Sequence, residues 1–233
     1  MGIDYSLQTG QPLEPLAIPE ADLVKRYEAL FGGAINDVLR EMGLLHQTLP
    51  HAILPLRDHM TLAGIAFTVK GAKNLTTEGE MPQRAAMLEA IPAQSVVIWD
   101  TTDDDESAQW GEVMTQAAIR RGCRGAVIDG GVRDTQKVLD QNFPVFCRYR
   151  SSNGMLGRFR MIGYQIPICI GKVIIHPGDI IFGDIDGVLI VPRALACEVL
   201  TRAESVGKVE QVYKQWIDQG MSPQEVVKRG GYF

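Results

Sequence analysis

The stretch from Ser95 to Asp129 constrains the fold more than any other part of the chain. Ser95–Trp99 (SVVIW) is a short run rich in β-branched and aromatic residues, the pattern of a buried strand. Gly125–Asp129 (GAVID) is a second such run. Between them Trp110, Val113, Met114, Ala117 and Ala118 recur at i, i+3, i+4, i+7 and i+8, which is one face of an amphipathic helix. Ser107 is placed to cap that helix and Gly122 to end it. Strand, helix and strand within about 35 residues make a βαβ unit. Its strands must be parallel and its crossover right-handed, so the class is α/β.

The rest of the chain fits around this unit. Residues 1–18 read as an irregular arm, and 19–233 as a single compact domain. Glu20–Leu30 and Ala34–Met42 have helical spacing, and Leu44–Asp58 reads as a loop. Leu62–Val69 is a strand that Gly71 should end, and Pro82 suits the first turn of a helix reaching about Ala90. A short helix over Thr135–Gln141 leads to a strand at Pro144–Arg148. Residues 159–191 then change character. Gln165–Ile170, Lys172–Ile175, Asp179–Phe182 and Gly187–Val191 are short β-type runs broken by glycines, which predicts antiparallel pairing. A long helix is expected over Ala194–Gln219, with Val199, Ala203, Val206, Val209, Tyr213 and Trp216 as its apolar stripe. A short helix follows Ser222-Pro223.

Composition removes several function classes. The net charge of −5 gives no basic surface for nucleic acid. No apolar run reaches membrane-spanning length and the first residues lack a signal-peptide core, so no membrane partner and a cytoplasmic location are expected. Cys123, Cys147, Cys169 and Cys197 form no Cys-x-x-Cys pair and read as buried thiols of a cytosolic protein. The four histidines show no zinc spacing.

Chemistry concentrates where the second strand of the βαβ unit ends. Gly130-Gly131 is followed by Val132 and then Arg133-Asp134. A guanidinium beside a carboxylate can hold an anion and a cation; it can equally be a turn with a surface ion pair. Ligands favour the carboxyl ends of parallel strands and the amino ends of the following helices. Gly111, Glu112, Val113 and Met114 open the preceding helix, so they share an edge with Arg133-Asp134. Their free N–H groups can receive a carboxylate. Glu112 supplies a second carboxylate near Asp134, or only complements the helix dipole. Such a set suits a small anion bridged by Mg²⁺ or Mn²⁺.

Three segments carry a family resemblance. WGEVMTQAAIRRGCRGAVIDGGVRDT (110–135) holds Glu112, twenty residues, then Arg133-Asp134; HPGDIIFGDIDGVLIVPR (176–193) and the ending GMSPQEVVKRGGYF follow in order. Together they resemble the RraA-like family of 4-hydroxy-4-methyl-2-oxoglutarate aldolases and regulators of ribonuclease activity. The resemblance implies a fold like the swivelling β/β/α phosphohistidine domains, assembled as a homo-oligomer (trimer or hexamer) with active sites between subunits. It implies that Arg133 binds the pyruvoyl carboxylate or enolate, that Asp134 holds the metal, and that Gly111, Glu112, Val113 and Met114 contact substrate. The family more often has Asp at the position of Glu112, which leaves direct or water-mediated metal contact open. A glutamate from a neighbour's C-terminal helix is also implied, with Glu210 the first candidate by position and Glu204 the second.

The implied activity is a metal-dependent retro-aldol cleavage of a 4-hydroxy-2-oxo acid, with oxaloacetate decarboxylation as a side activity. Arg133 pairs with the substrate carboxylate, and a water held by Glu112 or Glu210 takes the 4-hydroxyl proton. No lysine lies in the central motif to form a Schiff base. The alternative is a non-enzymatic regulator of ribonuclease that acts by protein–protein binding. A methyltransferase is disfavoured, because no Gly-rich loop for S-adenosylmethionine follows the first strand. The far end of the substrate is expected near Lys73–Met81 or Arg148–Gly157, with Arg148 and Arg150 as possible second-carboxylate ligands.

Overall fold

The computed structural model describes residues 13–231. Most of the expected arm, residues 1–12, and the final Tyr232-Phe233 therefore lie outside the described residues; residues 13–19 are irregular. In chain order the first elements are α1 (Glu20–Glu28), α2 (Gly32–Glu41), β1 (Leu54–Pro55), β2 (Leu62–Lys73), α3 (Glu80–Ala90) and β3 (Ser95–Asp100). Then come β4 (Ala108–Trp110), α4 (Glu112–Arg120), β5 (Gly125–Val132), α5 (Thr135–Leu139) and β6 (Val145–Arg150). The last are β7 (Phe159–Tyr164), β8 (Ile168–Ile170), β9 (Val173–Ile175), β10 (Ile180–Asp184), β11 (Gly187–Val191), α6 (Ala196–Asp218) and α7 (Pro223–Lys228).

A mixed sheet runs β1-β6-β5-β3-β2-β10-β11, with β4 beside β5 and β7 beside β2. β2, β3, β5 and β6 are parallel, as the βαβ unit requires, and β10, β11, β7 and the β8–β9 pair are antiparallel. The loop expected at 44–58 nearly closes this sheet. Leu49 N donates to Val188 O and Ile190 N to Gln47 O, tying the loop to β11. Leu54 and Pro55 then pair with Cys147 and Phe146 of β6. β1 is only two residues long, too short for a sequence signal.

Two apolar layers hold the sheet. One face buries Val97, Trp99, Trp110, Val127, Phe146 and their neighbours. On the other, α1, α2 and the start of α6 pack Leu23, Tyr27, Ile35, Leu39 and Leu200 against Ile65 and Phe182. Burying one such side chain stabilises by about 1.5–3 kcal/mol, so these layers fix where the strand ends lie.

Several expectations shift. β2 does not stop at Gly71: it runs to Lys73 through a bulge after Lys70. A Cβ at Gly71 would collide with the Phe159 ring, so this glycine serves close packing rather than termination. α3 runs Glu80–Ala90, which puts Pro82 in its first turn as expected. The apolar stripe of α6 meets the core through Val199, Ala203 and the half-buried Val206, joined by Ala196 and Leu200. Val209 is exposed, while Tyr213 and Trp216 pack on each other, with the Arg229 guanidinium over the Trp216 ring. Cys123 and Cys147 are buried, but Cys169 is exposed and Cys197 half-buried. Cys169 sits on the outward face of β8, where burial alternates residue by residue. Among the described residues no helix is long and apolar enough to cross a membrane.

Candidate functional site

The central strand β5 delivers the site. It is buried from Gly125 to Val132 and passes straight through Gly130-Gly131 instead of turning there. Its pairing with β6 is irregular between Ile128 and Gly131, and β4 pairs alongside Gly131 and Val132. The two glycines permit that crowding. A Cβ on Gly131 would lie 2.5 Å from Tyr149 Cε2 and 2.6 Å from Ser107 O, and one on Gly130 would collide with Gln109. Gln109, 1% exposed, accepts from Gly131 N at 2.9 Å and donates to Asp104 Oδ2 at 2.7 Å. Arg133 N then donates to Trp110 O at 3.0 Å, which locks the end of β5 to the end of β4.

Asp134 turns the chain into α5 with φ 52° and ψ 34°. This left-handed conformation is one that aspartate tolerates better than most residues. Arg133 Nε donates to Asp134 Oδ2 at 3.2 Å, with both side chains partly exposed. An ideal Cβ on Gly111 would be 3.1 Å from both Arg133 Cγ and Asp134 Oδ2. The backbone that opens α4 therefore lies directly against this pair.

α4 starts later than its sequence suggested. Ser107 does not cap it: Ala108–Trp110 is strand, Gly111 is the N-cap residue and Glu112 begins the helix. Tertiary pairing of β4 with β5 overrides the local cap signal. Trp110 consequently lies off the helix, and its Nε1 donates to Thr115 Oγ1 at 2.8 Å, which donates to Gly111 O. Val113 was placed on the buried face but is 73% exposed; Thr115 is buried instead.

These residues enclose one small cleft of about 190 Å³. Gly111, Glu112, Val113, Met114, Arg133 and Asp134 all line it, with Trp110 and with Arg84 from α3. The six residues singled out along this edge thus come together. Arg84 went unnoticed in the sequence because Glu80 and Arg84 look like any i, i+4 helix pair. Lys137 was also missed: its Nζ is 3.1 Å from Glu112 Oε2. The hydrogen bond to Glu112 raises the Lys137 pKa, so it stays a cation.

Glu210 and Glu204 stand apart from this cleft within one chain. Both line a groove between α1 and α6, where Glu204 is held by Arg26 through two 2.8 Å bonds and Glu210 lies 3.6 Å from Lys214. Arg148 and Arg150 are committed elsewhere. Arg148 Nε lies 3.0 Å from Asp129 Oδ1, without hydrogen-bond alignment, and its Nη2 donates to Asp104 O. Arg150 donates to Leu56 O. Earlier on β5 Asp129 is buried, and desolvation pushes its pKa up to about 6 although Arg148 opposes the shift.

Among the described residues no group of three or more His, Cys, Asp or Glu side chains gathers as a metal cage. Asp134 and Glu112 nevertheless fit Mg²⁺, which typically takes one or two protein carboxylates and keeps several waters. The helix N-terminus and Arg133 add complementary anion-binding groups. The arrangement defines an α/β protein with a small cleft, lined by charged and apolar side chains, at the carboxyl ends of parallel strands.

Comparison with known proteins narrows that class. Residues 33–190 match the RraA-like family, described as Aldolase/RraA, and the chain belongs to this family. It is 32% identical over 186 residues to a Halalkalibacterium halodurans protein named "Putative 4-hydroxy-4-methyl-2-oxoglutarate aldolase", covering 79% of this chain and 83% of that one. It is 30% identical over 186 residues to protein DlpA of Legionella pneumophila, covering 80% of this chain but only 30% of DlpA. A solved structure described as "novel cellulases from microbes associated with the gut ecosystem" is 48% identical, with TM-score 0.83 over 91% of this chain and 96% of that one. A Streptomyces coelicolor protein described as an unusual member of the RNase ES inhibitor RraA family is 22% identical, with TM-score 0.78 over 85% and 99% of the two chains. That last likeness speaks to fold alone.

Proposed function

We propose that the protein is a divalent-metal-dependent class II pyruvate aldolase, a lyase acting on a 4-hydroxy-2-oxo acid such as 4-hydroxy-4-methyl-2-oxoglutarate. Its products are pyruvate and a second oxo acid, and oxaloacetate decarboxylation is its side activity. The observation that carries this reading is the convergence of Arg133, Asp134, Glu112 and the start of α4 on one small cleft. The aldolase name of the Halalkalibacterium relative supports it.

Asp134 and Glu112 are the residues that would hold Mg²⁺ or Mn²⁺, directly or through water. When bound, the cation supplies Lewis acidity at the 2-oxo group. Arg133 grips the substrate carboxylate with charge-assisted hydrogen bonds, and the N–H groups at the start of α4 orient it. As the C3–C4 bond breaks, its electron pair moves toward the 2-oxo group, and Arg133 stabilises the developing negative charge. Glu112 accepts the 4-hydroxyl proton through a water, or Glu210 does so from a neighbouring copy in a trimer or hexamer. A proton returned to C3 gives pyruvate. Lys137, 3.1 Å from its carboxylate, orients Glu112.

The test is pyruvate release from 4-hydroxy-4-methyl-2-oxoglutarate and from oxaloacetate, with Mg²⁺ and with EDTA. Metal-dependent release is expected. A folded protein inert toward both, with or without metal, would point instead to the non-enzymatic regulator of ribonuclease.

A further inference from the structure

We infer that Arg84 is the residue that selects substrates with a second carboxylate, and that buried Glu80 positions it. The inference rests on the oxo-acid reading of the cleft and adds a residue which no motif pointed to. Arg84 lines the same cleft as Arg133. Among the described residues Arg84 is bonded only through Nη2, to Glu80 Oε1. Its Nε is buried with no partner, and so is Glu80 Oε2.

Glu80 is 2% exposed and the Arg84 side chain 18%. An exposed i, i+4 pair on a helix is a minor ornament, but this pair is largely removed from water. Buried polar groups in folded proteins are nearly always satisfied, and this guanidinium, tied only to Glu80, belongs to a residue that lines the cleft. A guanidinium carries five donors in a planar fork suited to a carboxylate. Glu80 occupies one of them and keeps the side chain from swinging into solvent. The cleft, at about 190 Å³, is smaller than typical drug-sized sites of about 300–1,000 Å³. A short dianion with its 2-oxo acid end on Arg133 and its far carboxylate on Arg84 satisfies both arginines.

The test is calorimetric binding in Mg²⁺ of 2-oxoglutarate and of 2-oxopentanoate, which differ only in a terminal carboxylate or methyl. Wild type should bind 2-oxoglutarate more tightly. Arg84→Gln should weaken 2-oxoglutarate by about 10- to 100-fold, the weight of a charge-assisted contact, and leave 2-oxopentanoate within about twofold. Arg84→Lys should recover part of the preference. Glu80→Gln should reduce it without affecting 2-oxopentanoate, because Glu80 acts only through Arg84. If Arg84→Gln is unstable, the double variant Glu80→Gln/Arg84→Gln leaves no unpaired buried charge and must show the same loss of preference. Equal weakening of both ligands, or no weakening of 2-oxoglutarate, overturns the role of Arg84 while leaving the oxo-acid site intact. A folded wild type that binds neither ligand overturns the oxo-acid reading, and the role of Arg84 falls with it.

Discussion

Gln109 is the buried tie that holds the end of β5 in place, and Gln109→Leu tests whether that tie matters. The substitution keeps the side chain's approximate size, so its main effect is the loss of two hydrogen bonds. Gly131 N loses its 2.9 Å acceptor at a place where the β5–β6 ladder is already irregular. An unmet buried N–H costs about 1–3 kcal/mol. Asp104 Oδ2 loses a 2.7 Å donor but keeps Ser107 N at 2.9 Å, so its cost falls near the lower end of about 1.5–3 kcal/mol for a bond to a charged group. The sum is about 2–5 kcal/mol, a large share of a typical stability of about 5–15 kcal/mol. For a chain of this size it lowers Tm by about 5–20 °C. Urea unfolding followed by circular dichroism, at fixed protein concentration, reads the change as a shifted midpoint with unchanged slope. A loss below about 1 kcal/mol would refute the claim that this side chain fixes the strand end.

Asp129 makes a pH prediction. Burial raises its pKa from an ordinary 3.8 to about 6, so the folded state holds this proton more tightly than the unfolded chain. The stabilising contribution is full below about pH 4 and is lost as pH rises through about 6; wild-type stability minus that of Asp129→Asn should therefore fall between pH 4.5 and 6.5, and a flat difference would contradict the shift. Gly131→Ala places its Cβ 2.5 Å from the Tyr149 ring and 2.6 Å from a backbone oxygen, so urea midpoints should report a loss of about 1–3 kcal/mol. The Lys137–Glu112 pair is largely exposed, so Lys137→Ala should change stability by under about 0.5 kcal/mol. Glu112→Gln should slow pyruvate release by about 10²–10⁴-fold, if Glu112 is the base, with Tm unchanged.

The sequence brought the residues of the candidate cleft together because its signals are local and regular. Apolar runs at 95–99 and 125–129 had to be strands, and their parallel pairing brought Glu112 and Arg133-Asp134 to one edge. What it could not carry depends on tertiary partners. Ser107 looks like a cap until β4 pairs with β5. Gly71 looks like a breaker until Phe159 packs on it. Val209 belongs to a real helical stripe, but α6 outruns the core that would bury it. Arg84 and Glu80 have no motif at all, and only their burial separates them from a surface pair. Arg148 and Arg150 had the right charge for the second carboxylate, yet the buried network around Asp129 and Asp104 and the carbonyl of Leu56 claim them.

The central claim is that Arg133 and Asp134 form the working centre of a metal-dependent lyase. Its most direct test is the rate of pyruvate release from oxaloacetate in Mg²⁺ by wild type, Arg133→Ala and Asp134→Ala, each with its oligomeric state checked. The account predicts turnover by wild type that EDTA abolishes, and a loss of at least about 100-fold in each variant with the assembly unchanged. Near-normal rates in either variant would contradict it.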